Sequence, residues 1–308
     1  MKIFDRYKNN PILMPIKEHP WEAFMVYNCG AIYKNGKVYL IYRAQGEKGG
    51  VSRFGLASSK DGFHIDERLP DPIYAPEPGN EFELYGCEDP RLTLLGDRIY
   101  MCYSAIGELS QMTSYAKTIQ VGMTSISVQD FLVSKWNWGK RIYPLPRVDN
   151  KNACLLPEKI NGKYVMFHRL PPHIWISYSD DLEHWGGLKI LMSPQKEWEY
   201  FKVGLGPSPI KTEKGWLFIY HGVDNKLRYR LGLAFLDLAD PSKVIWRSSE
   251  PILEPEEEFE KKGVIPNVVY SCGAVVIGEK LFIYYGAADT VICVATTKLS
   301  NLLSLIKR

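Results

Sequence analysis

The 308-residue sequence has no block of like charges and a net charge of only +3, which leaves neither a nucleic-acid face nor a polybasic membrane patch to read. No run is apolar for long enough to span a bilayer, and residues 1–13 lack the apolar core of a secretory leader. A cytoplasmic location is expected. The six cysteines show no zinc-type spacing. Cys29 and Cys272 occupy matching slots in Tyr27-Asn28-Cys29-Gly30-Ala31 and Tyr270-Ser271-Cys272-Gly273-Ala274, which reads as buried packing rather than metal ligation or disulfide pairing. No metal site and no organic cofactor are expected. Linkers and low-complexity breaks are missing too. Length alone, at roughly 150 residues per domain, argues for two domains, but the uninterrupted pattern argues for one over residues 1–308. Helical periodicity is scarce.

What the sequence does contain is repetition. Five segments align when each turn glycine is set against the aromatic strand that follows it: residues 31–44, 91–105, 153–170, 207–223 and 273–288. Their hairpin glycines are Gly36, Gly96, Gly162, Gly215 and Gly278. Each block reads as short runs rich in Val, Ile, Tyr, Phe and Trp with turn residues between, the pattern of antiparallel hairpins. A third run follows in each block. A fourth appears at 71–74, 141–143, 188–191 and 250–253, and the fifth block has none. Asn10-Pro11-Ile12-Leu13, at the other end of the chain, copies its signature. The expectation is an all-β fold, a five-bladed β-propeller whose N-terminal strand closes the last blade and so leaves only short edges.

Chemistry enters where the repeats diverge. Gly86-Cys87-Glu88-Asp89-Pro90-Arg91 puts two carboxylates at the start of block two, where no sibling block has an acid pair. After the aromatic strand the blocks place Arg43, Ser104, His168 with Arg169, and His221, a ring of differing polar residues expected to line one mouth. Lys151-Asn152, Lys202 and Tyr229 are expected to join it. Such converging cations suit a small multivalent oxyanion, above all phosphate. Gly204-Leu205-Gly206 lacks the spacing and strand-to-helix context of a nucleotide loop. Asp89, near apolar walls and beside Glu88, is expected to have a raised pKa and to serve as general acid. Asp61, Asp180, Asp181 and Asp240 read as turn residues.

The run 86–91, with Tyr42-Arg43-Ala44, Tyr220-His221-Gly222-Val223 and Tyr285-Gly286-Ala287-Ala288-Asp289, resembles glycoside hydrolase family 130, the β-mannoside phosphorylases, over essentially the whole chain. The resemblance implies a five-bladed propeller that cleaves β-linked mannosides with inorganic phosphate and inverts the anomeric centre to give α-mannose 1-phosphate. It places Asp89 as the single catalytic acid, delivering its proton through a hydroxyl of the mannosyl ring. Asn28, Arg43 and Asp289 fall at positions that contact that sugar, and Glu88, Ser104 and His168 complete the expected substrate-binding set. Lys151, Asn152, Arg169, Lys202, His221 and Tyr229 fall where the family gathers its phosphate ligands. The expected partners are an oligosaccharide and inorganic phosphate, with no nucleic acid and no membrane.

An inverting hydrolase of the same fold is the alternative. It needs a second carboxylate, roughly 6.5 to 9.5 Å from the acid, to activate water, whereas phosphate needs only cations to hold it. Arabinanase-like propellers need acids in three blades, and the equivalent slots here are Asn28, Asp89 and Asn152. A non-catalytic binding propeller needs neither acid nor cations. Trp136, Trp138 and Trp198 lie outside the repeats and are candidates for the rim around the leaving-group sugar. Residues 106–117 and 132–150 are expected to set acceptor preference. Residues 299–308 read as a short helix that docks on this chain or on a neighbour, which is compatible with a homo-oligomer.

Overall fold

The computed structural model describes residues 3–108 and 117–306. Its strands form five antiparallel sheets, one per repeat, arranged as a five-bladed β-propeller. Blade one is Met25–Lys34, Lys37–Gln45, Arg53–Ser59 and Glu67–Arg68. Blade two is Gly86–Leu95, Arg98–Glu108 and Lys117–Ser127, and blade three is Lys151–Leu155, Tyr164–Leu170, His173–Ser179 and Gly186–Met192. In blade four the inner strand is split into Lys202–Leu205 and Ile210–Thr212, followed by Gly215–Val223, Tyr229–Leu236 and Val244–Arg247. Blade five is Val269–Ile277, Lys280–Ala287 and Val291–Lys298. Asn35-Gly36 and Asn161-Gly162 have positive φ at both central residues, the two-residue turn whose twist matches the flanking strands.

The N-terminal segment closes the ring in two places. Leu13 bridges Ile292 as the repeat of the fourth-run signature requires, and Asp5–Arg6 pairs with Ala295 and Thr296 further along the same strand. The fourth runs of blades one, two and four likewise touch their neighbours by single bridges, Phe54 to Tyr74, Met123 to Ile142 and Leu231 to Leu253. The C-terminal helix Leu299–Leu303 docks on its own chain, with Leu302 fully buried in the core of blades four and five. Six free, buried cysteines match the packing reading. The turn aspartates do too: Asp61 and Asp181 each accept two backbone N–H bonds, from Phe63 and His64 and from Glu183 and His184.

A second repeat, which the sequence reading missed, runs through the fold. In four blades a fully buried glutamate, in the segment that leads into the inner strand, accepts from the tyrosine near the end of the second strand and from an arginine of the outer edge. The sets are Glu22 with Tyr42 and Arg68, Glu83 with Tyr103 and Arg141, Glu199 with Tyr220 and Arg247, and Glu260 with Tyr285 and Arg6. Blade three has Phe167 at the tyrosine position and no such node. Each glutamate is 0% exposed, and a buried carboxylate is tolerated only when its lone pairs are met like this. The nodes anchor the segments from which Asn28, Asp89, Lys202 and Tyr270 enter the centre of the ring. Blade five borrows its arginine from the N-terminus.

Candidate active site

The inner strands of blades one, two and five change register at one position, between Tyr27 and Gly30, Glu88 and Arg91, and Ser271 and Gly273. In blade three the shift lies opposite, between Phe167 and Arg169. At these irregularities Asn28, Asp89 and Asn152 have φ of 48°, 54° and 55°. That left-handed conformation is open to Asn and Asp at little cost and closed to most side chains. Bulges re-aim side chains beside functional sites, and here all three line one cavity of about 440 Å³ with Arg43, Lys151, Arg169, Lys202, Tyr229, Tyr270 and Asp289. Gly286 makes room for it, since a Cβ there would lie 2.1 Å from Asn28 Oδ1. A larger groove of about 620 Å³ beside blade four is more open, and its Asp224 is already paired with Arg228 and Arg230.

Asp89 is buried and wrapped in donors. Asn28 Nδ2 and Arg43 Nη1 donate to Oδ1 at 3.0 and 3.1 Å, and Tyr270 Oη donates to Oδ2 at 3.3 Å. Lys151 Nζ lies 3.7 Å from Oδ2 and 3.1 Å from Glu88 Oε2, and Glu88 also pairs with Arg43. Arg43 rests over the Tyr27 ring at 4.6 Å. The raised pKa expected of Asp89 is therefore a correction. Burial alone would raise it, but Lys151, Arg43 and Arg91 outweigh burial and hold the carboxyl below its ordinary range. The raised carboxyl is Asp289, pushed up to about 6 by burial, with Arg43 opposing and Asp89 adding to the shift.

The other wall is cationic. Arg169 donates to His221 Nε2 at 3.3 Å, and His221 Nδ1 donates to the Leu205 carbonyl at 2.9 Å. His221 is thereby the neutral tautomer, its pKa driven well below 6.5 by burial and then by Arg169, Arg91 and Lys202. Lys202 sits 5.5 Å from the Tyr229 ring centre. Burial, with Arg169 and Lys151, lowers its pKa to about 8. Neither Arg169 nor Lys202 has a carboxylate partner among the described residues. Asn28 Oδ1, Asn152 Oδ1 and Arg169 Nε are buried without a hydrogen-bond partner. All three residues line the cavity, but the two amide oxygens turn away from it, that of Asn28 toward Gly286 and that of Asn152 toward Gly204.

Several expected site residues stand elsewhere. Ser104 and His168 are fully buried and do not line the cavity. Strand alternation sends His168 away from the face that Arg169 presents, toward Asn150 at 3.1 Å, and burial lowers its pKa to about 4. His221 and Glu88 stand behind the lining, in contact through Arg169, Arg43 and Lys151. Trp136 and Trp138 pack on the blade-two core, Trp138 donating to the Ile73 carbonyl, and Trp198 is buried against blade four. None of the three tryptophans forms the rim. The mouth carries Leu227 and Ile265 instead. Of the two expected acceptor loops, residues 109–116 lie outside the described residues. Of 132–150 the last part reaches the mouth, where Asn150 donates to the carbonyl of the lining residue Ile119. Sequence reading missed Tyr270 and the buried Arg91, whose guanidinium spans Leu205, Gly206, Tyr270 and the Asp89 carbonyl. The only signal was Arg91's place in the acid run. Among the described residues no cluster of His, Cys, Asp and Glu could hold a metal ion, and no helix is long and apolar enough to cross a membrane.

A carboxylate facing unpaired cations at the open end of a five-bladed propeller places this chain among the propeller enzymes. A family model described as beta-1,4-mannooligosaccharide phosphorylase matches residues 3–308. The 1,2-beta-oligomannan phosphorylase of Thermoanaerobacter sp. (strain X514) is 45% identical over 304 residues, 96% of this chain and 98% of that protein. The beta-1,2-mannobiose phosphorylase of the same organism is 46% identical over 303 residues, 94% and 95% of the two chains. The solved structure of a beta-1,2-mannobiose phosphorylase from Listeria innocua, in complex with beta-1,2-mannobiose, matches with a TM-score of 0.83 at 29% identity and covers 99% of both chains. The chain belongs to glycoside hydrolase family 130 and is an enzyme, a glycoside phosphorylase.

Proposed function

We propose that this enzyme cleaves a β-1,2-linked mannobiose or oligomannan with inorganic phosphate, inverting the anomeric carbon to release α-mannose 1-phosphate. The observation that carries this reading is the pair of unpaired cations, Arg169 and Lys202, across the cavity from Asp89. Phosphate is already anionic and nucleophilic, so the protein has only to hold it against the sugar. Arg169, Lys202, Lys151, Asn152 and Tyr229 form that cradle, with His221 orienting Arg169. Asn28, Arg43 and Asp289 hold the mannosyl unit. A phosphate oxygen forms the new bond to C1 as the glycosidic C1–O bond breaks, and the leaving oxygen takes its proton from Asp89 through a sugar hydroxyl. Glu88 is tied up by Arg43 and Lys151, which speaks against its use as the base of a hydrolase. The β-1,2 linkage rests on the two relatives at 45% and 46% identity, against the β-1,4 wording of the family description.

Asp89 is a carboxylate in the free site, so it must gain a proton before phosphorolysis. The incoming phosphate supplies the condition, because its negative charge offsets the cations that hold Asp89 ionised. The test is to incubate the enzyme with β-1,2- and β-1,4-mannobiose, with and without phosphate. Mannose 1-phosphate formed only with phosphate, and faster from the β-1,2 substrate, supports the reading. Free mannose formed at equal rates in both conditions would replace it with hydrolysis.

A further inference from the structure

We propose that Tyr270 is a positioning residue for Asp89: its hydroxyl holds Asp89 Oδ2 and ties that oxygen, through Asn152, to the phosphate side of the cavity. This rests on the phosphorylase reading for the direction of the reaction, but the geometry stands without it. A phenol has one hydrogen to give and two lone pairs to fill. Arg91 Nη2 at 2.9 Å and Asn152 Nδ2 at 2.5 Å can only donate, and they take the lone pairs. The Tyr270 hydrogen is left for Asp89 Oδ2 at 3.3 Å. The donors cannot drift: Arg91 is fixed by the carbonyls of Gly206, Leu205 and Asp89 at 2.7, 2.9 and 3.0 Å. The Tyr270 ring is held against His221, centroids 4.8 Å apart. One phenolic oxygen thus joins blades two, three and five.

The two oxygens of Asp89 are made unequal. Oδ1 is met by Asn28 and Arg43 at 3.0 and 3.1 Å, while Oδ2 has only the longer Tyr270 bond and the Lys151 ammonium at 3.7 Å. Oδ2 is the oxygen free to exchange a proton with a sugar hydroxyl, and Tyr270 fixes where it points. While Asn152 Nδ2 donates to Tyr270, its Oδ1 is turned toward Gly204. The charged groups facing Asp89 are Arg43 from blade one, Glu88 and Arg91 from blade two, Lys151 and Arg169 from blade three, and Asp289 from blade five, with the phenols Tyr229 and Tyr270.

The experiment is the pH profile of kcat for phosphorolysis of β-1,2-mannobiose by the full chain, as wild type and as Tyr270→Phe. Rate falls at high pH when the acid in the complex loses its proton. Without the phenol the carboxylate loses a donor, so that alkaline limb moves up by roughly 0.5 to 1 pH unit. The kcat at the optimum falls roughly 10- to 100-fold through misplacement of the carboxyl. Should Tyr270→Phe fail to fold, 3-fluorotyrosine at 270 keeps the ring, strengthens the donor and moves the limb the other way. A lower kcat with the limb unmoved in both variants overturns the proposal and leaves Tyr270 a packing residue. If the wild type hydrolyses instead of phosphorolysing, the functional reading fails, and the same profiles on hydrolysis still decide Tyr270. Wild-type enzyme inert on both routes overturns both.

Discussion

At the scale of the residue, the site works by setting charges against one another. Asp89→Asn keeps the left-handed backbone, which Asn tolerates, while removing the proton that the leaving oxygen needs. Expected is an unchanged far-ultraviolet spectrum with kcat lowered by roughly 10²- to 10⁴-fold; near-normal turnover would remove Asp89 from the chemistry. Lys202 gives a pH dependence. Its pKa of about 8 leaves it charged at pH 7 and neutral at pH 9, so phosphate affinity falls as pH rises through 8. The KM for phosphate should climb by up to roughly tenfold across that interval, the limit set by losing one proton and close to the scale of one charged hydrogen bond. Lys202→Arg, which stays charged, should flatten the rise. The acid and the cations were legible in the sequence because they break a repeat. Charge states were not legible, since the sign of the Asp89 shift depends on Lys151, Arg43 and Arg91 arriving from three strands. Nor was it visible that His168 and Arg169, adjacent in the chain, face opposite ways.

At the scale of the element, the inner strands owe their positions to bulges and to buried glutamate nodes. The bulges place Asn28, Asp89 and Asn152 in equivalent slots, and those slots could be aligned from sequence. The nodes went unread although their glutamates carry a signal: Glu22, Glu83, Glu199 and Glu260 each follow a Trp or Phe, and the first three stand three residues before Met25, Gly86 and Lys202, where their inner strands begin. Their arginines, from the poorly repeating fourth runs and the N-terminus, could not be aligned. Arg6 is the sharpest case, since it is 254 positions from Glu260 in the chain. Arg6→Ala leaves Glu260 buried and short of its cation, a loss of about 3 to 5 kcal/mol. Urea unfolding reads this directly, and a change below about 1 kcal/mol would show that the node is not a closing bond. Removal of residues 1–14, which takes Arg6 and the bridge from Leu13 together, should abolish soluble folding.

At the scale of the whole molecule, ring closure does chemical work. Arg43, Asp89, Lys151, Lys202 and Asp289 come from five different blades and meet in one cavity because the propeller brings every inner strand to one axis. The number of blades and the closing segment were legible from the repeat. The mouth was less so, because aromatic side chains off the repeat look alike whether they pack or protrude; Trp136, Trp138 and Trp198 pack, and Leu227 and Ile265 protrude. The most direct test of the account is a crystal of the full chain soaked with phosphate and mannose. It predicts a tetrahedral anion held by Arg169 and Lys202, with the anomeric carbon between that anion and Asp89. Phosphate seated instead in the groove by Lys226 and Arg228, with the central cavity empty of anion, would contradict it.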